Sequence, residues 1–567
     1  MPHFNAGFAL NKKYKIINKT DEDMKVRYSI FYILSFIFSV ALSSCDDYMT
    51  TPSKSALTTE TSYNTQAKID DALTGVYGAL RPFAEYYFAM SEFRSDNMFI
   101  PQQTNVNQYA DCAQFNTTEL VEDNIVNQCW GDHYKLISAA NVLLGRMGGV
   151  GLSEAVMKQY EAEARFLRAL SYFDLVRFYG RVPVTLKEIS PSEAFEIPQS
   201  EAIDVYNNVI VPDLQFAVSN LQETATDYKG ETRGERVSRI AAKALLGKVY
   251  MQMAGYPLYQ DTKTKAQELF ADVLTDYSKY FAPTAAEWDK MFTSDYDNKY
   301  FLFEIQYTCD KEQGNTATPL TFPSSNYGDI YAGARKMGGP HVYVERDLQD
   351  HFLMSIAIDD EDGNVEEEFV DKRINATLNA GEMYDEETGE MSAGAAAMDK
   401  NTFCPKFFEN KIRRSQLGLS DIDGQIVDRT YWPQNWPVLR IEDVMLLYAE
   451  CVGNTAEGYK YLNMIRQRAG LTELKELTAE AFQKAVAFER RCELIGEGHR
   501  WFDEVRQNTF VNDIQTMMYN YRDKRDNTHN SIYTIYATRV TQNSALYPIP
   551  YEQLHVREGL YQQNPGY

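Results

Sequence analysis

Apolar residues recur at spacings of three and four over long stretches of the chain, the period of a helix with one buried face. Residues 66–80 open the series. Residues 124–147 place Trp130, Tyr134, Ile137 and Asn141 on one face, and residues 159–179 carry a stripe of Ala164, Leu167, Leu170, Leu175 and Phe178. Gly180-Arg181-Val182-Pro183 ends that second helix, because glycine accepts a left-handed cap and proline cannot continue the ladder. Further helices are predicted over 200–221, 238–253 and 262–277, and the period returns from Leu439 to about Val505.

Two pairs among these segments read as helical hairpins. Leu246-Gly247-x-x-Tyr250 followed by Ala266-x-x-x-Phe270 matches the small and aromatic positions where antiparallel tetratricopeptide-type helices interlock. Residues 444–452, the turn Gly453-Asn454-Thr455 and residues 456–468 give a second pair. Such hairpins bury their apolar faces only by stacking.

Two regions break the rhythm. Residues 81–122 and about 287–436 are polar, aromatic and rich in glycine, with short β-prone runs such as 300–307 and an acidic insert at 359–368 that reads as solvated. Long segments without helix signals are commonly functional loops. The expected fold is therefore mostly α: a tetratricopeptide-like hairpin scaffold over about 66–286 and 437–510, an irregular ligand lobe with a few short strands over about 287–436, and a closing segment at 511–567.

The N-terminus has a different pattern. Met24-Lys25-Val26-Arg27 precedes an apolar run over 28–42, short for the ~20 residues of a membrane-spanning helix but suited to a secretory signal. It ends in Leu42-Ser43-Ser44-Cys45, which resembles a lipobox, so residues 1–44 read as a signal peptide and Cys45 as a lipid anchor. Met24 is a better start than Met1, which puts residues 1–23 outside the gene product. A Ser/Thr-rich tether follows at 45–65.

Charge narrows the partners. The chain carries a formal −24, and removing a leader with six basic and three acidic residues leaves about −27. Nucleic acid and anionic lipid headgroups need a basic footprint and are disfavoured. The seven cysteines contain no C-x-x-C pair, which argues against a zinc module and leaves a Cys112–Cys129 disulfide open in an exported chain.

Catalytic and cofactor motifs are absent: no H-E-x-x-H, Walker loop, G-x-G-x-x-G or G-x-S-x-G occurs. The acidic turns at 359–363 and 421–424 fail the calcium-loop template, so neither a metal nor another cofactor is expected. Glu489, Glu493 and Glu497 lie one helical turn apart, as a glycosidase pair might, but interleave with Arg490, Arg491 and Arg500, which favours an ion-pair network along one helix. Aromatics reach 13%, with 39 Tyr. Tyr86, Tyr87, Phe93 and Phe99 in the first irregular segment, and Trp288, Tyr296, Tyr300, Tyr307, Tyr327 and Tyr331 in the second, offer flat faces on which sugars stack.

Together these motifs resemble the SusD/RagB family of Bacteroidetes. The resemblance rests on Trp130-x-x-x-Tyr134-x-x-Ile137-x-x-x-Asn141, on Glu163-Ala164-Arg165-Phe166-Leu167-Arg168-Ala169, and on Leu462-Asn463-x-x-Arg466-x-Arg468-Ala469-Gly470. It continues through Glu489-Arg490-Arg491-x-Glu493-Leu494-x-x-Glu497-Gly498-x-Arg500 and ends on Pro548-Ile549-Pro550 and Gln563-Asn564-Pro565-Gly566-Tyr567. It implies four tetratricopeptide-like helix pairs under a ligand lobe, and a non-catalytic lipoprotein on the outer face of the outer membrane, where Asp46 and Asp47 after Cys45 serve as the display signal. It also implies delivery of oligosaccharides to a SusC-like TonB-dependent transporter, with RagB-type capture of oligopeptides as the alternative. Ligand contacts are implied in regions 93–107 and 288–331, with Asp96, Phe99, Gln102, Asn105, Trp288, Tyr296, Tyr327 and Tyr331 as candidates.

Overall fold

The computed structural model describes residues 63–567 apart from 101–106, 121–123, 228, 232, 297–298, 309–312, 318–342, 360–364, 379–382, 385–390, 393–403, 405, 408–413, 416, 421–431 and 525–529. The signal peptide and Cys45 lie outside the described residues. Among those described, no helix is long and apolar enough to cross a membrane.

The helices follow the apolar period closely. Gln66–Gly78 starts where the Thr65 hydroxyl accepts from Lys68 N, and buries Ile69, Leu73 and Val76. Asn124–Arg146 packs on Glu154–Tyr179, which begins earlier than its apolar stripe because Ser153 caps a polar first turn by accepting from Val156 N. It ends at Gly180, whose φ of 71° is the left-handed conformation that glycine tolerates. The single helix expected over 200–221 is divided into Ala202–Val205, a π turn at Tyr206–Ile210 and Val211–Asn220. Pro212 explains the division: it has no N–H to give to the preceding turn, and the backbone widens to accommodate that.

Both expected hairpins form. Arg239–Ala254 packs on Lys263–Val273, and Ile441–Val452 on Ala456–Arg468. In the first, Phe270 lies so close to Gly247 that an added Cβ would sit 2.5 Å from the ring. In the second, Thr455 accepts from Gly458 N at 3.2 Å after Gly453 turns the chain. Lys263–Val273 also packs against Ile441–Val452, so the two hairpins stack although the whole irregular region separates them in sequence. Tyr277 and Tyr461 seal that contact edge to face at 6.2 Å.

The strands are short and pair antiparallel: β1 (Met98–Phe99) with β5 (Tyr343–Val344), β2 (Val182–Pro183) with β3 (Gln199–Ser200), β4 (Phe301–Ile305) with β10 (Trp436–Arg440), β6 (Ser355–Asp359) with β7 (Val365–Phe369), and β8 (Met383–Tyr384) with β9 (Met391–Ser392). Every residue of β4 and β10 is buried, and their pairing forms a neck from which the intervening chain loops out. The acidic insert is not simply a solvated loop, because Glu366, Glu367 and Glu368 pair in β7 against Ile358, Ala357 and Ile356 of β6.

Beside the neck lies a buried charge network. Glu493 accepts from Arg440 at 3.1 Å, Arg468 at 2.6 Å, Arg373 at 3.0 Å and the Trp288 indole at 2.7 Å. Glu497 accepts from Arg440 at 2.8 Å and Lys406 at 2.8 Å. Burial alone would raise the Glu493 carboxyl, but Arg468, Arg440 and Arg373 hold it below the usual carboxylate range. Arg373 and Lys406 come from the irregular region, Arg440 from the neck and Arg468 from a hairpin, so one carboxylate cluster ties all three together.

The closing segment is fixed in a different way. Arg94 is buried between the rings of Tyr547 at 4.2 Å and Phe115 at 4.3 Å, and donates to Ser544 O and to the Tyr567 hydroxyl. Asn564 donates to Tyr179 O and Tyr547 O, which fastens the final motif to the Glu154–Tyr179 helix. Cys112 and Cys129 are buried thiols, not a disulfide.

Two substitutions test this account. Gly247→Ala forces a methyl into Phe270, and thermal or urea melts should show a loss of about 1–3 kcal/mol. Glu493→Gln leaves three buried guanidinium groups short of a charge, and the same melts should show about 3–5 kcal/mol lost.

Candidate functional site

The structure divides the ligand residues expected from sequence. Trp288 has no exposed surface and gives its indole N–H to Glu493, so its ring cannot stack on a sugar. Asp96 is buried and accepts from Arg500 at 2.7 and 2.8 Å, with Arg491 at 3.1 Å. Burial opposes its ionisation, but Arg491 and Arg500 hold the carboxyl below the usual range. Both side chains are committed to the scaffold. Tyr86, Tyr87, Phe93, Tyr300 and Tyr307 are also buried, which corrects the expectation that these rings form a binding surface. Phe99 lies in β1 and Tyr296 in a turn at Ser294–Tyr296, while Gln102, Asn105, Tyr327 and Tyr331 fall outside the described residues. Glu489, Glu493 and Glu497 are not a catalytic pair, nor a network along one helix: that helix ends at Leu494, and their partners come from distant segments.

What the structure does bring together is the two irregular segments. Met98 pairs with Val344 and Phe99 with Tyr343, which joins the middle of the first region to the second. Thr316 of the second region donates to Glu85 at 3.0 Å, and Tyr109 donates to the other Glu85 oxygen at 2.6 Å. Asn315 bridges to Trp432 and gives its amide to Gln434 O. Burial and the nearby Asp132 raise the Glu85 carboxyl, partly offset by those two hydroxyl donors.

Two cavities flank this junction and share Arg81 as a wall. The larger, about 610 Å³, has Glu85, Asn127, Gln128, Asp132, Lys135 and Thr316 among its lining residues. The smaller, about 480 Å³, lies between the Gln66–Gly78 helix, the loop at 233–236 and the end of β4, with Tyr77, Arg233, Arg236 and Gln306 in its wall. Asp132 accepts from the Tyr86 hydroxyl at 2.5 Å and from Lys135 at 2.6 Å, and Asn127 donates to Glu552 at 2.9 Å. Planar amides, carboxylates and a guanidinium on one wall make a surface suited to hydrogen-bonding polyols. Each of the four oxygens of Glu85 and Asp132 accepts one protein hydrogen bond.

Comparison with known proteins decides the family. Residues 299–567 match the SusD family, and residues 47–251 match a family described as starch-binding and associating with the outer membrane. The chain belongs to the SusD-like family. It is 25% identical over 539 residues to SusD-like protein P25 of Formosa agariphila, covering 88% of this chain and 93% of that protein. A SusD homolog from Bacteroides thetaiotaomicron has the same fold, with a TM-score of 0.73 at 22% identity over 90% of this chain and 98% of its own. So does a laminarin-binding SusD-like protein, with a TM-score of 0.64 at 23% identity over 89% and 100%.

In this SusD-like chain Tyr86 and Tyr307 line the cavities as buried rings, but the polar lining residues were not those singled out by sequence. Gln128, Asp132 and Lys135 recur at three- and four-residue spacing on the same helix as Trp130, Tyr134 and Ile137. That polar stripe was a readable signal of the cavity wall. Arg81 and Glu85 lie in the stretch without period and carried no signal.

Behind the smaller cavity, Glu163 is fully buried. It accepts from the Tyr77 hydroxyl at 2.8 Å and Gln159 at 3.0 Å, with Arg236 at 4.0 Å. Burial pushes its carboxyl up to about 7, against the pull of Arg236 and the two donors. A carboxyl raised in the folded state stabilises fully below its unfolded value of ~4.3, and that contribution is lost as pH rises through about 7. Glu163→Gln removes this titration. The melting temperature of the variant relative to the parent should climb between about pH 4.5 and 7 and level off above; a flat difference would contradict the assignment.

Proposed function

We propose that this chain is a cell-surface lipoprotein, anchored through Cys45, that binds oligosaccharides and delivers them to a SusC-like TonB-dependent transporter without turning them over. The observation that carries the reading is the meeting of Arg81 and Glu85 from the first irregular segment with Gln306, Gln313 and Thr316 from the second at two polar cavities. The laminarin-binding relative and the starch-binding family description support the ligand class. Phe99, Gln102, Asn105, Tyr296, Tyr327 and Tyr331 stay ligand candidates on the family resemblance alone, whereas Asp96 and Trp288 act as supports. Delivery and outward display follow from the family and from the lipobox-like Leu42-Ser43-Ser44-Cys45.

Absence of catalysis is proposed on the family, whose laminarin-binding relative is described by binding alone.

The test is an oligosaccharide and oligopeptide binding array with chromatography of the bound material. Saturable sugar binding with no shortened product is expected, whereas released sugar or binding confined to peptides would overturn the reading. Asn127→Ala and Gln128→Ala, at half-buried and exposed cavity positions, should each weaken sugar binding about tenfold by removing a hydrogen bond, with the melting temperature unchanged.

A further inference from the structure

The wall shared by the two cavities carries a cation in an unusual state. Arg81 follows the Gln66–Gly78 helix, and its carbonyl accepts from the Tyr307 hydroxyl at 2.5 Å, which fixes the backbone. Its Nε donates to Gln306 O at 3.3 Å and its Nη2 to Gln313 Oε1 at 2.9 Å. Both acceptors are neutral. Nη1 rests over Gly78, where even an added Cβ would stay 3.6 Å away. No carboxylate among the described residues pairs with Arg81.

Its neighbours are different. Arg236 in the same wall pairs with Asp70 at 2.8 Å, with Glu163 at 4.0 Å. Arg233 pairs with Glu235 and has Asp227 at 4.0 Å. On the other side, Lys135 is taken by Asp132. Arg233, Arg236 and Lys135 are each matched by a carboxylate, whereas Arg81, half-buried between the two cavities, is held only by neutral acceptors, and Glu85 in the same wall accepts only from hydroxyls. A partly desolvated guanidinium gains most from an anionic oxygen pair, and its planar fork suits a carboxylate or a sulfate. Two hydrogen bonds already hold the side chain in place, so a ligand need not order it.

We propose that Arg81 is an anion-recognition residue and that the glycan accepted here carries a negative group, a uronate carboxylate or a sulfate ester. This rests on the glycan-binding reading above and narrows it to a charge class. The cavity has room for one charged sugar ring on either side of Arg81, with the amides of Asn127 and Gln128 left for its hydroxyls.

The experiment is calorimetric titration of the full mature protein with three size-matched probes: an oligogalacturonate, a sulfated galactan oligosaccharide and a neutral laminari-oligosaccharide. Parent protein, Arg81→Gln and Arg81→Lys are compared, each checked by thermal melt. One of the charged probes is expected to bind at least ~10-fold tighter than the neutral probe, and which one identifies the group. Arg81→Gln should abolish that gap, and Arg81→Lys should keep part of it, because an ammonium retains the charge but not the fork. Equal or tighter binding of the neutral probe overturns the charge assignment and leaves glycan binding intact. A charge preference that survives Arg81→Gln overturns the role of Arg81. Binding of none of the three, with peptides bound instead, overturns the glycan reading itself.

Discussion

The carboxylates of Glu493 and Glu497 are the point on which the rest of the structure depends. Neither has exposed surface to speak of, and each must be matched by cations or pay several kcal/mol in lost hydration. Those cations arrive from segments that the helical period alone would never bring together: Arg373 and Lys406 from the irregular region, Arg440 from β10, Arg468 from a hairpin end. A hydrophobic contact at this place would tolerate sliding. Bidentate Arg440 against Glu497 does not, because the guanidinium fork fixes both distance and plane. The network therefore braces the neck, and the neck fixes where the chain leaves at Ile305 and returns at Trp436.

The scaffold was legible in sequence because its signal is local. Gly247 and Phe270 announce an interlocked hairpin, and Gly453 to Thr455 a turn, within spans shorter than two helices. The ion network was legible in composition but misread in geometry. Three glutamates four residues apart look like one helix face, yet the helix ends at Leu494, where Ile495 turns extended at ψ 136° and Gly496 follows at φ 82°, ahead of Glu497. Sequence spacing reports the helical face only while the helix lasts. Likewise nothing local marks Glu366 to Glu368 as strand, since their pairing with Ile356 to Ile358 is a property of the hairpin and not of an acidic run.

The site was the least legible part, for a physical reason. Aromatic residues in loops satisfy two demands that leave the same trace in a sequence: a sugar platform and a core without helices. In this chain Tyr86, Tyr87, Phe93, Trp288, Tyr300 and Tyr307 serve the core, as Trp288 on Glu493 illustrates. The irregular regions have no amphipathic face to bury, so they stabilise themselves with large rings, and the polar wall is left to residues of an ordinary helix. Gln128, Asp132 and Lys135 were visible as a stripe, but solvent would produce the same stripe. Only the cavity distinguishes the two.

An acidic chain that selects an anionic ligand is less paradoxical than its net charge of −24 suggests. At physiological salt, fields from exposed charges fall off over about 8 Å, so the formal total governs approach and solubility more than the energy inside a cleft. Inside, the lining decides. Arg233, Arg236 and Lys135 are matched by acids of the protein itself, and those pairs contribute little net field. Arg81 is not matched, and the low-dielectric walls around it strengthen what remains. The surrounding negative surface then adds discrimination: it repels anions everywhere except where one guanidinium is held open to receive them. Selectivity of this kind requires the unmatched cation to be rigid, which is what Tyr307, Gln306 and Gln313 provide.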